Sequence, residues 1–171
     1  IENNKASKVL YIGPTSLSVM KLGGGTITNN IIVSSDPNAE CGALFYESMD
    51  TNTLLEISGN INISENRTEL GAPSNLYVYE NPLKVSSSLD SGSTIHISGS
   101  QNFVEYDQPF VTFAEGAQAD IGVFVNDTYP THVAKLGDDG ISFSDIKTSV
   151  CQVTFTYGEE EPVTKTFEYP S

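Results

Sequence analysis

Residues 57–66, Ile57-Ser58-Gly59-Asn60-Ile61-Asn62-Ile63-Ser64-Glu65-Asn66, alternate apolar and polar positions as a half-buried strand does, yet carry Gly and Asn at a density that strands avoid. The alternation recurs elsewhere, in three segments whose order is kept. Val9-Leu10-Tyr11-Ile12 returns as Ala43-Leu44-Phe45-Tyr46 and as Asn75-Leu76-Tyr77-Val78, at offsets of 34 and 32 residues. Leu17-Ser18-Val19 returns as Leu55-Glu56-Ile57 and Leu83-Lys84-Val85, and Gly25-Thr26-Ile27-Thr28 returns as Ile61-Asn62-Ile63-Ser64 and within residues 93–98. Turn formers such as Gly23-Gly24, Gly59-Asn60, Asn81-Pro82 and Ser91-Gly92 separate the segments.

Segments of about four residues are too short to stand as independent hairpins. If each lies beside its equivalent one repeat later, its period-two side chains point alternately into a shared interior and out to water. The pattern therefore predicts an all-β chain built as a parallel β-helix, a solenoid of stacked strands. An antiparallel β-sandwich with Asn-rich loops is the competing fold. In the solenoid Ile57, Ile61 and Ile63 fill the interior and Asn60 and Asn66 take the corners. There left-handed backbone angles are needed, and stacked amide side chains can bond along the column. Ile1-Glu2-Asn3-Asn4 resembles Ile27-Thr28-Asn29-Asn30 and Ile63-Ser64-Glu65-Asn66, so the chain is expected to open inside the pattern, as a segment of a longer protein would.

Beyond Ser98 the regularity decays. Residues 103–113 and 121–125 read as further strands, and 130–149 as an irregular closing segment. Cys151 to Phe167 reads as a hairpin around the acidic turn Glu159-Glu160-Glu161. The expected division is a β-helix segment with its closing region over 1–147, and over 148–171 a hairpin that extends it or begins a further module.

Composition narrows the function. With 22 acidic against 8 basic residues the net charge is −14, which repels a polyanion, so nucleic acid is not expected as a partner. No apolar run is long enough to span a membrane, so membrane insertion of this segment is not expected either. Cys41 and Cys151 lack metal-ligand spacing and read as small core residues, with a disulfide as the alternative.

The segments Gly24-Gly25-Thr26-Ile27-Thr28-Asn29-Asn30, Cys41-Gly42-Ala43-Leu44-Phe45, Leu55 to Asn66 and Ser74-Asn75-Leu76-Tyr77-Val78 resemble repeats of bacterial surface proteins. These are right-handed parallel β-helix, adhesin-like proteins, akin in pattern to polymorphic outer-membrane proteins. The resemblance covers roughly residues 1–125. Cys41 stands where the family usually has Gly, and Met20-Lys21-Leu22 reads as an insertion that lengthens a bend. What the resemblance implies is a secreted, wall-attached multidomain protein whose partners are host or microbial surface glycans or proteins. The family carries no common catalytic motif.

The expected role is non-catalytic adhesion or display. A polysaccharide-degrading β-helix enzyme and a mechanical spacer are the alternatives. Tyr11, Phe45 and Tyr77 share one phase in three repeats, as an outward aromatic strip that binds sugars or as part of the core. Candidate acids are Glu47, Asp50, Glu56, Glu80 and Asp90, with Glu47 and Glu80 as a pair on adjacent coils, since glycoside hydrolysis needs two carboxylates across one cleft. His96 and His132 read as surface histidines. No cofactor is required; Ca2+ at Asp138, Asp139 and Asp145 is the metal alternative, set against a plain turn.

Overall fold

The computed structural model describes residues 1–13, 19–34, 42–48, 54–98, 108–129, 131–145, 148–155 and 163–170. Cys41 and Asp50 lie outside them. The described chain is all-β, with a single 3-10 turn, Ile121–Val123, as its only helical element.

Three strands repeat in each pass. β1 (Lys5–Ala6) comes before the first full pass, which holds β2 (Leu10–Ile12), β3 (Val19–Leu22), β4 (Gly25–Thr28) and β5 (Ile31–Ile32). The second holds β6 (Leu44–Ser48), β7 (Leu54–Gly59), β8 (Ile61–Ser64) and β9 (Arg67–Thr68). The third holds β10 (Leu76–Glu80), β11 (Leu83–Leu89) and β12 (Thr94–Ile97), followed by β13 (Val111–Phe113) and β14 (Phe124–Asn126). Every pairing among these strands is parallel, in the columns β2-β6-β10, β3-β7-β11-β13, β4-β8-β12-β14 and β1-β5-β9, and β10 also pairs with β12 through Leu76 and Ile97, which joins two of the columns into one sheet. Leu10, Leu44 and Leu76 share one register, as do Gly25 with Ile61 and Ile63 with Ile95.

Side-chain alternation places the core. Leu44, Tyr46, Ile57, Ile61, Ile63, Leu76, Val78 and Ile95 are buried in one connected cluster, as expected for Ile57, Ile61 and Ile63. Burying each such side chain contributes about 1.5–3 kcal/mol, so neighbouring passes supply the apolar cover that a single pass lacks.

One equivalence differs from the sequence reading. Met20-Lys21-Leu22, not Leu17-Ser18-Val19, pairs with Leu55-Glu56-Ile57, and Lys84-Val85 continues that register. The stretch read as an insertion in a bend is the strand itself. Both triplets are apolar at their ends, and pairing Lys21 with Glu56 sets opposite charges side by side, with an ion pair of 3.1 Å.

The closing segment is more regular than expected. β15 (His132–Gly137) and β16 (Gly140–Asp145) form an antiparallel hairpin, and β16 lays its edge against β13 through Val111 and Ile141. This antiparallel addition ends the β3-β7-β11-β13 column. β17 (Thr148–Phe155) and β18 (Val163–Pro170) form a separate antiparallel pair, matching the expected hairpin.

Candidate functional site

The column β2-β6-β10 positions the aromatic residues. Its leucines face the core, so the residues one position on, Tyr11, Phe45 and Tyr77, face the opposite side of the sheet and stay out of the connected core. Phe45 and Tyr77 stack at 4.8 Å with planes 7° apart, whereas Tyr11 and Phe45 are tilted by 52° at 5.9 Å. The three rings do not form an open strip. Phe45 and Tyr77 are each 5 % exposed, and Tyr11 alone, at 47 %, presents its ring to solvent.

Charged groups flank that ring. The Lys8 ammonium lies 4.0 Å from the Tyr11 ring centroid and 4.1 Å from that of Phe45, a cation held against two π faces. The Tyr11 hydroxyl donates to Glu47 Oε2 at 2.7 Å. That hydrogen bond, then burial, then the Glu47 charge raise the Tyr11 pKa above its ordinary value. The cluster is thus one exposed aromatic face bordered by an ammonium and a carboxylate. A ring offers its negative face to weakly polarised C–H groups, while the two charges can accept or donate to hydroxyls.

The structure does not bring Glu47 and Glu80 to equivalent positions. Glu47 is opposite Tyr79 and Glu80 opposite Ser48, one residue out of step. Of the other candidate acids, Glu56 is tied to Lys21, and Asp90 is exposed where β11 turns into β12. Asp138 and Asp139 form the two-residue turn of the β15–β16 hairpin, while Asp145 is opposite His132 at its far end. Five residues at about 3.4 Å each separate Asp145 from the turn, so the three acids do not converge on one cation. Among the described residues no group of three His, Cys, Asp or Glu side chains could hold a metal ion.

A second polar line was only partly foreseen. Asn4 donates through its backbone and side-chain nitrogens to Asn30 Oδ1, each at 3.0 Å. Asn30 does the same to Asn66 Oδ1, at 3.1 and 2.7 Å, and Asn66 to Asn75 Oδ1, at 2.9 Å for both. The line ends on Asp127, which accepts from Asn75 Nδ2 at 2.7 Å and lies 2.8 Å from His96 Nδ1. Asn3, Asn29 and Glu65, each just before a ladder asparagine, have φ of 57°, 55° and 58°, the left-handed bend that turns the next amide inward. The repeated Ile-x-x-Asn of residues 1–4, 27–30 and 63–66 was the available signal. Asn66 takes the predicted corner; Asn60 sits exposed at the bend beside Gly59 and outside the ladder.

The histidines are less free than expected. The Asp127 carboxylate holds the His96 ring through Nδ1, and His132 Nδ1 is 3.2 Å from Asp145 Oδ1. Comparison with known proteins gives no match to any family model, curated protein or solved structure.

Proposed function

We propose that the chain is a right-handed parallel β-helix segment of a bacterial cell-surface protein, secreted and wall-associated, and that it serves adhesion or display without catalysis. Three passes in parallel register, joined by an asparagine ladder, support the β-helix reading. The repeat resemblance supports the surface setting. The observation that carries the binding role is the open Tyr11 ring between Lys8 and Glu47, and its partner is a surface glycan whose apolar face stacks on Tyr11 while a hydroxyl reaches the carboxylate.

A glycan array with the whole chain, followed by mass analysis of the bound sugars, tests this. Binding without product, weakened by Tyr11→Ala by about tenfold or more, is the expected result. Product that disappears in Glu47→Gln would instead identify an enzyme, and binding indifferent to Tyr11→Ala would place the glycan elsewhere.

A further inference from the structure

We infer that the outer face of β5 and β9 carries a second binding site, centred on Arg67, for an acidic sugar residue whose carboxylate sits on the guanidinium. The site stands on the corner column and not on the Tyr11 ring, so either can fail without the other.

β5 is the middle strand of its column, paired with β1 on one side and β9 on the other. Ile31 is in register with Arg67, and register partners in parallel strands share a face. The next pair, Ile32 and Thr68, turns inward, and Ile32 has no exposure. Ile31 and, two positions on, Val33 are exposed instead. Beside Ile31 lies a depression of about 330 Å³ lined by Asn29, Glu65 and Arg67.

The charges around this depression leave Arg67 over. It is the single arginine of a sequence with 22 acidic residues, and Glu65 and Glu69 lie two positions to either side of it. Both are engaged elsewhere. The Thr28 hydroxyl donates to Glu65 Oε2 at 3.4 Å, and Lys5 Nζ lies 2.6 Å from Glu69 Oε1. The guanidinium has no ion pair or hydrogen bond among the described residues. Its planar fork of N–H groups matches the two oxygens of a carboxylate, so a ligand can take it without breaking an internal pair. Lys5 and Arg67 balance Glu65 and Glu69, and the chain around them carries −14, so a single negative charge is accommodated more readily than a dianion.

The other walls select a sugar. Ile31 offers aliphatic surface to the C–H face of a ring. Asn29, exposed at its left-handed bend with φ of 55°, has a carboxamide that both donates and accepts, without a partner among the described residues. The Glu65 carboxylate accepts from hydroxyls. An apolar floor with a few convergent polar groups is the usual make-up of a small-ligand site. An acidic peptide would bring a carboxylate to Arg67 but no hydroxyl for Glu65, and would set like charges together. A uronate supplies both groups.

Titration of the whole chain with glucuronate, read by ligand-observed NMR, tests this. The dissociation constant is expected at about 1 mM or tighter, with glucose, which lacks the carboxylate, about tenfold or more weaker. Arg67→Gln should weaken glucuronate binding about tenfold or more, and Arg67→Lys, which keeps the charge without the fork, should restore only part of it. Tyr11→Ala should leave it unchanged. Each variant is checked for wild-type β circular dichroism, and Ile31→Ser, with the same expected loss, replaces Arg67→Gln if that variant unfolds. No saturation up to about 20 mM, equal binding of glucose, or indifference to Arg67→Gln overturns the proposal. So does loss of binding in Tyr11→Ala, which would put the sugar on the ring, or equally tight binding of an acidic peptide, which would mean that a bare carboxylate suffices.

Discussion

Asn66 links two neighbouring asparagines of the ladder and two backbone carbonyls. Its Oδ1 accepts two N–H groups of Asn30, and its Nδ2 donates to Asn75 Oδ1 and to the carbonyls of Ile27 and Ser64. Truncation leaves several of these groups buried and unpaired, at about 1–3 kcal/mol each, so Asn66→Ala should lower stability by roughly 3 to 5 kcal/mol in urea denaturation. Beside it, Glu65 holds a left-handed angle where the equivalent positions are Asn3 and Asn29. Asn tolerates that angle better than Glu, so Glu65→Asn should raise stability by about 0.5–1 kcal/mol in the same assay, less a small loss from the long Thr28–Glu65 contact. Tyr46 is fully buried, and burial raises its pKa against the opposing hydrogen bonds to Ser48 and the Leu55 backbone. The neutral phenol therefore stabilises the fold fully below the unfolded pKa of about 10, and that contribution disappears as pH climbs through the higher folded value. The urea midpoint should fall steeply above about pH 10, and less steeply in Tyr46→Phe.

Among elements, the β15–β16 hairpin depends on one close approach. A Cβ at Gly140 would fall onto the Val111 carbonyl, and the φ of 142° is itself unfavourable for other residues. Gly140→Ala should therefore detach the hairpin from β13, costing about 3 kcal/mol or more, with amide exchange accelerated first along β15 and β16. In the sequence this hairpin read only as an irregular closing segment, because one antiparallel unit repeats nothing. The parallel columns were legible because each core position has an equivalent in the next pass. Registration still failed at β3, since Leu17-Ser18-Val19 and Met20-Lys21-Leu22 carry the same apolar–polar–apolar pattern and only the charge of Lys21 against Glu56 separates them. The aromatic column was visible as a phase, but which of its rings would be open was not. Neighbouring layers set that exposure, and among the described residues Tyr11 has a ring neighbour on one side only. Asp127 entered the ladder unseen, because it follows β14 instead of an Ile-x-x-Asn repeat.

At the scale of the whole molecule, like charge opposes the stack that the core and ladder hold together. The net charge is −14, and the described lysine–carboxylate pairs, Lys5 with Glu69 and Lys21 with Glu56, have exposed ammonium groups. Exposed pairs contribute about 0–1 kcal/mol and weaken in salt. Repulsion among the unmatched carboxylates weakens in salt as well, but relief of repulsion stabilises the compact state. The two effects have opposite signs, and the excess of 14 negative charges over matched ones decides for repulsion. Raising salt from about 0.01 to about 0.1 M shortens the screening length from about 30 to about 10 Å, enough to uncouple carboxylates on successive passes that are not direct neighbours. The melting temperature of the dilute monomer should then rise by a few degrees, the equivalent of about 1 kcal/mol for a chain of this size. Differential scanning fluorimetry at low protein concentration reads this shift. A melting temperature that falls on adding salt would mean that the ion pairs outweigh the repulsion.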